Sequence, residues 1–116
     1  ASPGKTIEGL IKVFEATREA YRGRTAMNLP GLNITVAQML DALEAVAGPE
    51  VRARVRFERN AQIAGIVANW SQGATAQRAA QLGLLPDVDF QTIIRQYMDD
   101  CERAGLGASA LKGWRP

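Results

Sequence analysis

The sequence predicts an α/β fold: a small, mixed helical domain built on one β-α-β unit, with two or three short parallel strands and about four helices. Three observations lead there. Apolar residues recur at helical spacing in four stretches. Residues 51–57 alternate apolar side chains with arginine, the period of a strand. A short apolar run, Thr25–Leu29, stands before the second helical stretch, so strand, helix and strand follow in an order that makes the two strands parallel. With 116 residues, 47% of them hydrophobic and 22% charged, the chain has room for one such core.

Each element has its own warrant. The first helix opens at Ser2-Pro3, an N-cap followed by proline at the first helical position. Ile7, Leu10, Ile11 and Phe14 then make one apolar stripe, Glu8 and Lys12 pair at i,i+4, and Gly23 is placed to end the helix. The run Thr25–Leu29 is the first strand. In the second helix Thr35 and Gln38 match a capping box, Val36, Met39, Leu40, Leu43 and Val46 form the stripe, and Gly48-Pro49 stops it.

Val51–Phe57 is the second strand, with Val51, Ala53, Val55 and Phe57 on one face and Arg52, Arg54 and Arg56 on the other. Ala61–Ala68 suits either a short helix or a strand. The third helix covers Thr75–Leu82, with Ala76, Ala79, Ala80 and Leu82 on a face made for close approach and Gly83 as its C-cap. The fourth begins at Asp89 as N-cap and carries Phe90, Ile93, Ile94, Tyr97, Met98 and Cys101. The domain is expected to span 1–104, with a loosely ordered tail at 105–116. Two parallel strands are a poor sheet by themselves, so the domain is expected to be incomplete alone.

Composition removes much chemistry. There is no histidine, which excludes Ser-His-Asp and Cys-His nucleophiles and histidine-ligated metals. The single cysteine, Cys101, excludes an internal disulfide and makes a reducing, cytoplasmic compartment the default. No apolar run approaches the ~18–20 residues that span a bilayer, so no membrane partner is expected. The first residue is not methionine, which suits a processed, truncated or excised chain.

The remaining motifs are weak. Gly105-Leu-Gly107-Ala-Ser-Ala110 matches a dinucleotide-binding string, but it follows a helix instead of opening one, and a plain tail is the better reading. Arg52, Arg54, Arg56 and Arg59 lack interleaved aromatics and are diluted by Glu50 and Glu58, so a solvated strand face is favoured over a nucleic-acid stripe. Asp87 and Asp89 flank a helix start and are explained by capping, while Asp99 and Asp100 are adjacent and point apart. Tyr21 and Tyr97 have no lysine four residues on. Trp70 and Phe57 are expected in the core. No catalytic, cofactor-binding or metal-ligating residue is assigned.

The order of these features resembles the C-terminal, substrate-side part of NAD-dependent epimerase/dehydratases, which are extended short-chain dehydrogenases. The resemblance rests on Asn28, Gly31, Thr35 and Val36 in the turn "NLPGLNITV", on the late helix Ala79-Ala80-Gln81-Leu82-Gly83, and on the leading "SPGKTIEGLI". It covers roughly Ser2 to Asp100 and looks closest to the sugar-acid branch of the family. It implies an oxidoreductase or epimerase acting on a sugar or sugar acid, with NAD(P) and the catalytic Tyr and Lys held by a separate N-terminal Rossmann domain. This stretch alone would then be inert.

The resemblance also implies that Arg59 and Gln62 are substrate-binding. Arg59 falls where nucleotide-sugar epimerases place an arginine, and Gln62 where they place an aspartate, a departure that suits a smaller, acidic substrate. The expected partners are that Rossmann domain, the sugar-acid substrate and further copies of the chain through uncovered apolar surface. A stand-alone interaction module without catalysis is the competing reading, and a small basic nucleic-acid binder a weaker third.

Overall fold

The computed structural model describes residues 1–23, 26–71 and 73–106. Its elements are helices: α1 (Pro3–Glu15), a 3-10 turn (Arg18–Tyr21), α2 (Val36–Ala47), α3 (Pro49–Arg52), α4 (Ala61–Val67), α5 (Gln77–Gln81) and α6 (Phe90–Arg103). They fall into two compact units, one of Ala1–Thr35 with Val55–Asp87, the other of Val36–Arg54 with the chain from Val88 onward.

The expected β-α-β unit is absent: no strand occurs among the described residues, and the fold is helical, not α/β. Residues 26–29 have no regular structure, and Thr25 lies outside the described residues. At the second expected strand, Gly48 takes a φ of +88° that ends α2, and Pro49, whose ring presets a helical φ, starts α3. The N–H groups of Ala53 and Arg54 are then used locally, donating to Pro49 O and Val51 O at 2.9 and 3.2 Å. Period-two patterning makes a strand only where a ladder partner exists, and neither segment has one here.

In the first unit Ser2 caps α1 as its sequence predicts, its Oγ accepting from the Lys5 N–H at 3.2 Å. The helix ends at Glu15, well before Gly23, because Ala16 turns extended at ψ 137°. The 3-10 turn follows and closes on Arg22 and Gly23, both at positive φ. The Tyr21 hydroxyl folds back to donate to Val13 O.

The buried residues of this unit are Leu84 and five small or polar ones, Ser2, Gly9, Pro30, Ala79 and Asp87. Helix α1 packs by Gly9, where a Cβ would stand 2.7 Å from Leu29 Cδ1 and 3.7 Å from Leu84 Cδ2. The apolar stripe read from the sequence, Ile7, Leu10, Ile11 and Phe14, faces solvent. Trp70 and Phe57 are likewise exposed, not core. Helix α5 ends in a Schellman motif: Gly83 at φ +75° lets its own N–H reach Ala80 O and the Leu84 N–H reach Ala79 O, both at 3.0 Å. That turn carries Leu84 inward beside fully buried Ala79.

In the second unit α2 packs on α3 and α6. Leu40 and Ala42 are buried, with Met39, Leu43 and Val46 half-buried, so most of the predicted stripe is used. Asp89 caps α6 by accepting from the Thr92 N–H at 2.7 Å. This hydrogen bond, joined by one from the Thr92 hydroxyl, holds the Asp89 carboxyl below its ordinary range. The helix buries part of Phe90, Ile93, Ile94 and Cys101, while Tyr97 and Met98 stay exposed. It closes in a second Schellman motif, Gly105 N–H to Glu102 O at 3.0 Å and Leu106 N–H to Cys101 O at 2.9 Å. No helix among the described residues is long and apolar enough to cross a membrane.

Candidate functional site

The turn "NLPGLN" is irregular backbone, and irregular backbone needs partners for its polar groups. Side-chain amides supply them. Asn33 donates through Nδ2 to Ala74 O and accepts at Oδ1 from the Ala74 N–H, both at 3.3 Å, a reciprocal pair like one rung of a ladder. Asn28 Nδ2 donates to Thr75 O at 3.4 Å. Pro30 is buried between these anchors. Arg78, in the first turn of α5, donates to Ala26 O at 2.9 Å and to Tyr21 O at 2.6 Å, fixing the chain on the approach to the turn. Residues 26–33 are therefore held without a sheet.

The two residues that the resemblance assigns to substrate lie at the start of α4. Arg59 is in the irregular segment just before it, and Gln62 is in its first turn; both side chains are exposed. Asn60 stands between them as N-cap, its Oδ1 accepting from the N–H groups of Gln62 and Ile63 at 3.0 Å each. Because that cap takes the first amide donors of α4, the Arg59 guanidinium is the group of this stretch suited to an anion. Helix α4 settles the open choice at residues 61–68 in favour of a helix, and Ile63, Ile66 and Val67 on it are exposed.

Asp87 departs from its sequence reading. It caps nothing; its carboxylate is buried and accepts from the Ser2 N–H at 2.7 Å. No local pattern signals a partner 85 residues away. Asn28, Asn33 and Arg78 also went unassigned, and in their case a signal existed, since polar side chains beside a Pro-Gly turn are natural backbone partners. The described residues hold no group of three or more acids or cysteines placed for a metal. In the dinucleotide-like string, Gly105 closes α6, and Gly107 through Ala110 lie outside the described residues. The expected tail shares that position from 107 onward.

No family model matches the chain, and no solved structure matches it significantly. Curated proteins do. D-erythronate dehydrogenase from Cupriavidus necator is 41% identical over 105 residues, 90% of this chain and 32% of its own length. Nine tenths of this chain is thus similar to one part of a D-erythronate dehydrogenase. A second one, from Haemophilus influenzae, is 31% identical over 99 residues, 85% of this chain and 31% of its own. The chain thus spans about a third of the length of the curated relatives it matches. Both relatives are named as dehydrogenases of a sugar acid, the theme to which the turn "NLPGLNITV" pointed.

Proposed function

We propose that this chain is the substrate-side lobe of an NAD(P)-dependent sugar-acid dehydrogenase of the D-erythronate dehydrogenase kind, an extended short-chain dehydrogenase. The observation that carries this reading is the 41% identity to the Cupriavidus necator enzyme, sustained over nine tenths of the chain. In this reading the lobe binds and orients substrate. Arg59 takes the substrate carboxylate through its forked N–H donors, and Gln62 offers an uncharged donor and acceptor to a hydroxyl. The amide-pinned turn at residues 28–33 is a fixed wall.

The reaction needs a hydride acceptor, and the described residues do not fit one: the glycine that begins the dinucleotide-like string ends a helix instead of opening it. The proton acceptor is equally to be sought elsewhere, since Tyr21 binds Val13 O and neither Tyr21 nor Tyr97 has the lysine four residues on. The lobe acts by positioning, the larger sequence by chemistry. The test is a chimera in which this chain replaces the aligned third of the Cupriavidus necator enzyme. D-erythronate-dependent formation of NADH or NADPH is the expected result; a folded chimera without it overturns the reading.

A further inference from the structure

Helix α1 turns its apolar arc away from the unit in which it packs. At 100° per residue, Leu10, Phe14, Ile7 and Ile11 fall on one arc, and Gly9 and Val13 fall on the side facing the rest of the unit. The helix packs through Gly9 against Leu29 and Leu84, so its seat is fixed by its smallest residue. Its large side chains point out: Ile7 is 59% exposed, Leu10 67%, Ile11 51% and Phe14 90%. Four such residues in one arc make a patch of several hundred Å², the size that marks an interaction surface and not scattered surface apolar residues.

A second feature adjoins it. A cleft of about 180 Å³ runs beside α1, lined by Thr6, Leu10, Val13, Met27, Leu29 and Leu84. Leu10 belongs to both, so the stripe continues into a recess able to take an inserted apolar side chain. Three charged residues of α1 leave the patch clear: Glu8 binds Lys5 at 2.7 Å and Lys12 at 2.9 Å, and Lys12 also donates to Gly83 O at 2.6 Å.

We infer that this face of α1 is the docking surface for the part of a D-erythronate-dehydrogenase-length polypeptide outside the span of this chain. The occupant is argued from length. Nine tenths of the chain is similar to the Cupriavidus necator enzyme, yet two thirds of that enzyme has no counterpart in it. An apolar arc on a helix already seated by its other side fits such a neighbour, present in the same polypeptide and therefore at high effective concentration. The inference rests on the proposed function for the identity of the partner, and names the surface that receives it.

The experiment places L10E/F14E in the isolated chain and in the chimera with the Cupriavidus necator enzyme. In the isolated chain both residues already face water, so its melting temperature and its helical circular dichroism stay as they were. In the chimera the melting temperature falls by several degrees and dehydrogenase activity drops at least tenfold. A chimera that tolerates the pair overturns the inference, as does equal destabilisation of the isolated chain. Loss of a dimer of the isolated chain on substitution, with the chimera unaffected, assigns the face to a second copy and overturns it too. A chimera inactive toward D-erythronate yet destabilised by the pair leaves the docking surface standing and removes the function; an active, tolerant chimera does the reverse.

Discussion

The backbone N–H of Ser2 donates to the carboxylate of Asp87 at 2.7 Å, joining two residues 85 positions apart that are 1% and 4% exposed. Ser2 is at the same time the N-cap of α1, and its carbonyl accepts from the N–H and the hydroxyl of Thr6, each at 3.0 Å. One residue thus both starts the helix and ties it to the segment after α5. Asp87→Ala strands a buried N–H and should cost about 1–3 kcal/mol. Asp87→Asn keeps an acceptor and should cost less. Ser2→Ala removes only the cap and should cost about 1 kcal/mol. Urea unfolding measures all three; equal stability of the alanine and asparagine variants at position 87 would show that the bond carries nothing.

Asn33 meets the backbone of Ala74 with both its donor and its acceptor. With the bonds from Asn28 and Arg78, this pair holds the turn in the absence of a sheet. Asn33→Ala should cost about 1 kcal/mol, and its clearest sign should be local: faster amide hydrogen exchange at Ala74 and across residues 31–35, with α2 and α6 unchanged. Asn33→Asp keeps the acceptor for the Ala74 N–H and loses the donor, so it should lie between. Uniform acceleration across the chain would mean that the turn has no separate stability.

Much of the helical skeleton was legible. Ser2-Pro3, Asp89 and Gly83 are capping signals whose physics is local, and the structure uses each of them. What was not legible is where each face points. The stripe of α1 is legible as a stripe, but its direction depends on what the helix meets, and Gly9, not the stripe, is the residue that seats it. The alternation at 51–57 is a true period of two, yet pairing is a long-range property, and Gly48-Pro49 redirected the backbone first. At the site, Arg59 and Gln62 came from family resemblance, whereas the Asn60 cap between them was readable from the residue type alone. Asp87 could not be read at all, its partner being 85 residues distant.

Two carboxylates give the chain an acid limit. Hydrogen bonds from Lys5 and then Lys12 hold Glu8 below its ordinary value of 4.5, and the Thr92 backbone holds Asp89 below its ordinary 3.8. Each folded-state value is depressed, so the stabilisation is complete above the unfolded value and is lost as pH falls through the folded one. The melting temperature should therefore be flat between about pH 7 and pH 5 and decline below about pH 4. Glu8→Gln with Asp89→Asn, which keeps an N-cap acceptor, should flatten that decline. Both groups are solvent-exposed, so the difference should shrink in high salt. An acid limb equally steep in the double variant would assign the loss to other carboxylates.

Arg59 is the residue on which substrate recognition turns in the proposed function. Its guanidinium is exposed and adjoins a helix start whose first amide donors are already taken by Asn60. A charge-assisted hydrogen bond to a carboxylate contributes about 1.5–3 kcal/mol. Arg59→Ala in the chimera should therefore raise the KM for D-erythronate roughly ten- to a hundredfold. In the proposed function Arg59 binds the substrate and takes no part in the hydride or proton transfer, so its loss should act on KM with little change in kcat. Arg59→Lys keeps the charge but loses the fork, and should recover only part of the affinity. Gln62→Asp, which adds a negative charge beside a site for an anion, should raise KM further without lowering the melting temperature. Steady-state kinetics at fixed, saturating cofactor separate KM from kcat; a KM unmoved by Arg59→Ala would place the substrate carboxylate against another residue.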